Sequence, residues 1–492
     1  MGLGIKMGGG GGSAATYAWM KTLMVNGVKD DSTAKYITSE NPNAYPEYGV
    51  NGNYFYEKVP LRVTNGSISR CYSASGTIAP NTFVQFVTGT PSLGPAYSVT
   101  ENALVYCAEN VSDNSVVEID YRSGGLGTTV YTIGEDKAIT RGTRAAFASN
   151  SSVDVMNVQP RVLKLSGEQF VLCYSDTNEK LYLAPFKVSG TTITIGSYKQ
   201  ISTVGTAHGV NIFKRSDGTC IAIFNQARTL YYCTFTVSNN AVTVTKTETS
   251  IGSGQYVSNV AQLTDDKYVI LQEYELTTTS TNYYLNVFDY STKTLGSTLN
   301  FGGGSDNTIE CDIVGYDDSR FVVTYLDSTN TKSAYVAVGT VSGNTATIGE
   351  KFATSAFPAD SDYSFCLNVA KLKYSYVAVS YVVKSSYVAT IDLYKIADNK
   401  LELVSTLSPF GTTKISYYGL SKPVTAGNNA LFFASKEASI TASIDGASTE
   451  AVVIDYGVKA VPATTVIEGI TRTKVYESVT GEVWTLNNGQ NA

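Results

Sequence analysis

Phe321-Val-Val-Thr-Tyr325, followed shortly by Val341-Ser-Gly-Asn-Thr-Ala-Thr-Ile348, decides the fold because both stretches recur at a fixed interval. The first is a short apolar run of β-branched and aromatic residues, which reads as a buried strand. It returns as Phe170-Val-Leu-Cys-Tyr174, Cys220-Ile-Ala-Ile-Phe224, Tyr268-Val-Ile-Leu271, Tyr376-Val-Ala-Val-Ser-Tyr381 and Ala430-Leu-Phe-Phe433. From residue 170 onward the starts lie 50, 48, 53, 55 and 54 residues apart. Ala103-Leu-Val-Tyr-Cys107 reads as a seventh copy upstream. The second stretch returns as Val188-Ser-Gly-Thr-Thr-Ile-Thr-Ile195 and Val237-Ser-Asn-Asn-Ala-Val-Thr-Val244. Each is a strand end, a two-residue polar turn and a new strand, the grammar of a tight hairpin. A repeat of this length has room for about four strands, the size of a propeller blade.

The expectation is therefore an all-β chain built around a seven-bladed β-propeller. Six or eight blades are the alternatives, because the first and last copies are degraded. Along the chain the reading is a flexible Gly-rich tail (1–16), an aromatic module (17–57) and the first part of a small β unit (58–94). The propeller follows (95–461), then a C-terminal closure of the small unit (462–492). Gly76 to Phe86 and Val475 to Trp484 each show a turn followed by an alternating strand. These two pieces are expected to share one unit, since the ends of a domain commonly lie close together.

Composition narrows the function. Only 16% of the 492 residues are charged, whereas Tyr alone accounts for 35. A surface of hydroxyls and amides suits contact with sugars, since Tyr has an apolar face and a polar tip. Net charge is -6 and no basic run tracks phosphates, which argues against nucleic-acid binding. No apolar stretch reaches the ~20 residues of a membrane span. The N-terminal residues show no signal-peptide pattern, so export by the general secretory route is not expected. Seven scattered cysteines have no metal-ligand spacing, and Cys107, Cys173, Cys220 and Cys233 sit in apolar runs where a thiol packs as a small hydrophobe. Synthesis in a reducing cytoplasm fits. No cofactor or metal is expected.

Catalytic candidates are few. The single histidine, His208, lacks the spaced partners of a Ser-His-Asp device. Asp154, Asp306, Glu310 and Asp312 fall near expected inner-strand starts, and a glycosidase needs two such carboxylates. Glu310 and Asp312 share a strand face, with Cys311 on the other. Loop-to-strand acids are common, so no catalytic residue is assigned. The aromatic module supplies the ligand-binding candidates: Trp19, Tyr45, Tyr48 and Tyr54 could stack on sugar rings. The same rings would equally serve as the core of a unit of about 40 residues, which needs all its apolar groups.

Three motifs in order carry a resemblance. Tyr17-Ala-Trp-Met-Lys21, Thr38-Ser-Glu-Asn-Pro-Asn-Ala-Tyr-Pro46 and Gly52-Asn-Tyr-Phe-Tyr-Glu57 come first. Asp317-Asp-Ser-Arg-Phe-Val-Val-Thr-Tyr-Leu-Asp327 with Val341 to Gly349 comes next, and Ile467-Glu-Gly-Ile-Thr471 with Thr480-Gly-Glu-Val-Trp484 last. Together they resemble tail-fibre-like virion proteins of phages and prophages of Gram-positive bacteria. Tyr48-Gly49 stands where those proteins often carry a Gly pair. The resemblance implies a structural virion component, assembled in the host cytoplasm as a homo-oligomer beside other virion proteins. A tail-fibre or tip protein contacting host-surface glycans is the leading expectation. A capsid or neck decoration protein and a propeller glycoside hydrolase are the alternatives.

Overall fold

The computed structural model describes residues 89–457 apart from 100–102, 123–124, 135, 148–152, 154–158, 204–206, 227, 278–279, 305–310, 328–332, 355–363, 384–385, 398 and 437–447. Before residue 89 and after residue 457 it describes the backbone of the strands named below. The chain divides into two compact units, 91–455 and a second made of 1–90 with 456–492.

The larger unit is a seven-bladed antiparallel propeller, as the period predicts. Blade 1 runs Ala103–Ser112, Ser115–Arg122, Gly125–Ile133 and Ile139–Arg141 from the axis outward. Blade 2 is Arg161–Ser166, Gln169–Ser175, Leu181–Ser189 and Thr192–Ile195. Blade 3 is Ala207–Lys214, Cys220–Gln226, Thr229–Ser238 and Ala241–Ser253. In blade 4, Tyr256–Gln262, Lys267–Thr277 and Ser280–Asp289 are edged by Thr294–Leu295 and Leu299–Gly304. Blade 5 is Cys311–Gly315, Arg320–Asp327, Ser333–Ser342 and Thr345–Ala353. Blade 6 is Ser364–Lys371, Tyr376–Val383, Val388–Ala397 and Lys400–Leu407. Blade 7 takes Ile415–Leu420 and Val424–Ala426, Asn429–Lys436 and Ser448–Asp455 from the end of the unit. Its outer edge, Ser92–Leu93 and Tyr97–Val99, comes from the beginning. That shared sheet closes the ring with backbone hydrogen bonds.

One reading of the period needs correction. The recurrent apolar run is the second strand of blades 2 to 7, but Ala103–Cys107 lies in the innermost strand of blade 1. The second strand there is Ser115–Arg122, whose alternation of Glu118, Asp120 and Arg122 with apolar residues disguises it.

Side-chain alternation explains why these runs are continuous rather than amphipathic. In blade 2, Phe170, Leu172 and Tyr174 pack with blade 1, while Val171 and Cys173 pack with blade 3. Both faces of a blade are buried, so both parities must be apolar. Such a fully buried side chain contributes roughly 1.5–3 kcal/mol. The same two-sided packing joins blades 3 with 4, 4 with 5, 5 with 6, and 7 with 1.

The hairpin signature joins the third and fourth strands, and in blades 3 and 5 it also docks the blade on the one before it. Asn239 and Asn240 both take positive φ, 50° and 59°, as a two-residue hairpin turn requires. Asn240 accepts a bond from Gln169 of blade 2 (3.1 Å) and donates to the Thr194 carbonyl (3.1 Å). A Cβ at Gly196 would collide with the Asn240 carbonyl oxygen, and one at Gly296 with that of Asn344. The turns of blades 3 and 5 thus sit on glycines of blades 2 and 4.

In the smaller unit, Thr16–Val25 pairs with Val28–Asp30, Tyr36–Ile37 and Tyr54–Leu61. Val63–Thr64 pairs with Ser67–Ile68, and Thr473–Glu477 with Val483–Asn487. Early and late segments meet there: Cys71–Tyr72 pairs with Val483–Asn487, and Val84–Val87 with Lys459–Pro462.

Candidate functional site

Of the four aromatic candidates, Trp19 lies in Thr16–Val25 opposite Lys58 and Ile37, and Tyr54 opens Tyr54–Leu61 opposite Leu23. Backbone pairing places both in one sheet. Tyr45 and Tyr48 fall outside the described residues, as do Asp154, Asp306 and Glu310. His208 is the second residue of the innermost strand of blade 3, opposite Asn225 and next to a register shift at Gly209.

Asp312 is the acid that the structure places most clearly. Equivalent positions of the innermost strands are fixed by their partners: Arg161 faces Cys173, Asn211 faces Ile223, Asn259 faces Leu271, Asp312 faces Thr324 and Asn368 faces Ser380. In blade 1 the matching residue is Cys107, opposite Ile119. In blade 7 the matching stretch holds Lys422, two residues before Val424, which pairs with Leu431. A polar ring therefore surrounds the axis. Asp312 is 2% exposed and takes bonds from the Ile313 N–H (2.9 Å), the Val369 N–H of blade 6 (2.7 Å) and the Asn259 amide of blade 4. Lys422 of blade 7 reaches both its oxygens, at 2.8 and 2.6 Å. A carboxylate with this set of donors ties four blades together.

Burial pulls the Lys422 ammonium below its ordinary pKa, Asp312 pushes it back up, and Arg161 pulls it down again. Its side chain nevertheless keeps 34% of its exposure.

A second carboxylate pair escaped the sequence reading. Glu118 and Asp120 of blade 1 are both fully buried, two residues apart on the face that carries Val116 toward blade 7. Asp120 accepts from Arg144 Nε (2.6 Å) and Arg122 Nε (2.7 Å). Among the described residues, neither Glu118 oxygen has a hydrogen-bond partner. Burial pushes the Glu118 carboxyl well above the ordinary range and Asp120 pushes it further, against the pull of Arg141 and Arg144. With no exposed surface, this pair cannot flank a sugar bond.

The surface feature that repeats is aromatic. One residue beyond the ring partner on the second strands of blades 2 to 5 lie Tyr174, Phe224, Gln272 and Tyr325, and opposite them on the third strands stand Tyr182, Tyr231, Tyr284 and Tyr335. All four third-strand tyrosines are half-buried, at the end of blades 2 to 5 next to the loop joining second and third strands. Tyr182 stacks on Tyr174 with centroids 5.8 Å apart, and Tyr231 on Phe224 at 6.0 Å. Tyr335 lies 6.0 Å from Tyr325 with the Lys351 ammonium 4.3 Å from its ring centroid. In blade 2, Tyr198 meets Tyr174 edge-on at 6.2 Å and is 46% exposed. Rings on the second strand hold Tyr182, Tyr231 and Tyr335 at a fixed attitude, while Tyr284 stands opposite Gln272. Periodic tyrosines about fifty residues apart were visible in the sequence, but their common register was not.

No protein-family model matches the chain, and no curated protein is found similar to it. Among solved structures, the Aleuria aurantia lectin, in complex with a fucosylated sugar, is 11% identical over 69% of this chain and 99% of its own, with a TM-score of 0.38. A polysaccharide lyase is 9% identical over 74% and 99%, with a TM-score of 0.40. A putative 6-phosphogluconolactonase from Bacteroides fragilis is 10% identical over 81% and 97%, with a TM-score of 0.41. Lectins and enzymes stand side by side among them, and at these values the likeness carries no argument about ligand or reaction.

Proposed function

We propose that this chain is a non-enzymatic, saccharide-binding structural protein of a phage virion, a tail-fibre or tip component that meets host-surface glycans. The row formed by Tyr182, Tyr231, Tyr284 and Tyr335 carries the binding part of this reading. A sugar ring stacks its C–H face on an aromatic ring while its hydroxyls reach polar neighbours. Gln200, whose Oε1 lies 3.4 Å from the Tyr182 hydroxyl, is one such neighbour. Similar sites repeated from blade to blade suit a polysaccharide of repeating units, and display in several copies multiplies weak affinity by ~10²–10⁴. The virion part rests on the order of the three sequence motifs. Assembly in the host cytoplasm, as a homo-oligomer beside other virion proteins, belongs to the same proposal.

Adsorption of the full chain to host cells tests the binding part, with Tyr182→Ala, Tyr231→Ala and Tyr335→Ala combined in one variant. The triple variant is expected to lose at least tenfold in retained protein, while raising salt changes wild-type retention little, since screening acts on charge pairs. Undiminished adsorption by the triple variant would overturn the row as the binding surface. Release of oligosaccharides from host wall polysaccharide would move the protein to the enzymes. Electron microscopy of labelled virions tests its place; label confined to the capsid would favour the decoration role over the tail.

A further inference from the structure

We propose that the tyrosine row reads a neutral polysaccharide through three subsites, in blades 2, 3 and 4, each pairing a tyrosine with an amide or hydroxyl. This rests on the saccharide reading and narrows it to three of the four rings, to a ligand class and to the residues that select it.

Backbone register fixes the pairs. Tyr182 stands opposite Gln200 of the edge stretch Lys199–Gln200, Tyr231 opposite Ser250 and Tyr284 opposite Asn300. Directly paired residues of an antiparallel sheet share a face, their Cβ atoms about 4.5–5.5 Å apart. Each half-buried ring therefore has an exposed, uncharged hydrogen-bonding group at its side. The pairs also share a direction. Tyr182 packs against the cluster held in common with blade 1, and Tyr231 against the one held in common with blade 2. Tyr284 lies on the same strand face as Phe288, which packs toward blade 3. Three consecutive blades thus offer the same two-part chemistry at their seams. A ring takes the C–H face of a sugar, and an amide or hydroxyl takes its hydroxyl groups. None of the paired positions bears a charge, which matches a neutral chain rather than an acidic one. Glu248, two residues before Ser250, already accepts the N–H of Thr203 at 3.1 Å and its hydroxyl.

The row is bounded. Matching positions in blades 1 and 6 hold Gly127 and Thr390. In blade 5 the residue across from Tyr335 is Ala353, which has no polar side chain. The Lys351 ammonium lies 4.3 Å from the Tyr335 ring centroid, held by Asp327 at 2.7 Å, and competes with a sugar for that ring. Blade 2 differs in the other direction. The exposed Tyr198, two residues before Gln200, stands at 83° to Tyr174, on which Tyr182 stacks at 22°. Two rings set nearly at right angles against one buried ring make a corner, so blade 2 is the strongest of the three subsites.

Electrophoresis of the full chain through native gels cast with dextran, mannan or galactan tests this, with polygalacturonate as the acidic counterpart. Retardation by at least one neutral polymer, and none by polygalacturonate, is expected. Gln200→Ala, Ser250→Ala and Asn300→Ala combined should weaken the retarding affinity about tenfold or more, since three hydrogen-bonding groups are lost. Those residues are exposed, so the variant's thermal midpoint should match the wild type. Tyr198→Ala and Tyr231→Ala should each weaken retardation, whereas Tyr335→Ala should leave it nearly unchanged. Retardation by polygalacturonate, or by none of the neutral polymers, overturns the ligand class. Retardation untouched by the combined polar variant, or lowered by Tyr335→Ala as much as by Tyr231→Ala, overturns the three pairs. Should the combined Tyr182, Tyr231 and Tyr335 variant lose adsorption to cells while these results fail, the saccharide reading stands without this inference. Undiminished adsorption by that variant sinks both.

Discussion

At position 312 a carboxylate collects four donors, three of them from three other blades, so removing it strands several polar groups at once. Asp312→Ala leaves the Asn259 amide, the Val369 N–H and the Lys422 ammonium facing one another without an acceptor. Breaking a buried pair from one side costs about 3–5 kcal/mol. Chemical denaturation should show that loss, and Asp312→Asn should recover part of it by keeping one acceptor oxygen. Glu118 gives the opposite expectation. Its folded-state pKa is raised, so its contribution is fully present below the unfolded value near 4.5 and fades as pH rises through the folded one. Asp120, raised to about 6 mainly by burial, works in the same direction. The propeller should therefore lose stability as pH climbs from about 4 through 6 and beyond. Glu118→Gln should match the wild type at pH 4 and exceed it at pH 8, by on the order of 1–3 kcal/mol. Thermal midpoints of both proteins across that range check the sign; a variant less stable than wild type at pH 8 would show that the Glu118 charge is welcome where it sits.

Among the elements, the hairpin between third and fourth strands has a second task besides reversing the chain. Its turn carbonyl lies over a glycine of the preceding blade, at Gly196 for blade 3 and Gly296 for blade 5. Gly196→Ala and Gly296→Ala should each destabilise by about 1–3 kcal/mol, because the added methyl meets a backbone oxygen rather than a movable side chain. Gly190→Ala is the instructive contrast. Gly190 also sits in such a turn, but nothing lies near its missing Cβ. Its cost should be confined to the left-handed φ of +59°, about 1 kcal/mol. Denaturant midpoints that rank Gly190→Ala with the other two would mean that docking between blades contributes little.

For the whole molecule the decisive feature is closure. The outer edge of blade 7 is supplied by Ser92–Leu93 and Tyr97–Val99, some 350 residues from the strand they pair with. Removing residues 91–99 exposes the edge of Ser448–Asp455 and releases the junction of blades 7 and 1, where Tyr131 meets Phe433 at 4.9 Å and Tyr97 at 6.3 Å. Expression from residue 103 onward should give insoluble or dimerising protein, since an open strand edge invites pairing with another chain. Supplying the missing strand by circular permutation should restore a monomeric propeller. A soluble, monomeric 103–455 fragment of unchanged midpoint would show that the ring needs no such clasp.

The sequence by itself determined the strand content, the blade length and the hairpins, because apolar parity and turn chemistry are local and act within a few residues; it pointed to seven blades but left six or eight open until the ring closed. Phe170 to Tyr174 could hardly be anything but a strand buried on both faces. Tertiary structure alone decided which strand each copy of the signature is. Ala103–Cys107 resembles the second strands in composition, and only pairing shows it at the axis. It also decided the fate of the charges. Glu118 and Asp120 alternate with apolar residues as a solvent-facing edge would, and only the closing contact with blade 7 takes them from water. Asp312 looked like a loop-to-strand acid until Asn259, Val369 and Lys422, which lie 53, 57 and 110 residues away in sequence, converged on it. Tyr182, Tyr231, Tyr284 and Tyr335 could be counted in the chain, but their alignment along one register is a property of the ring. Periodicity is written residue by residue, whereas a site is a coincidence of distant residues in space, and closing the ring is what brings them together.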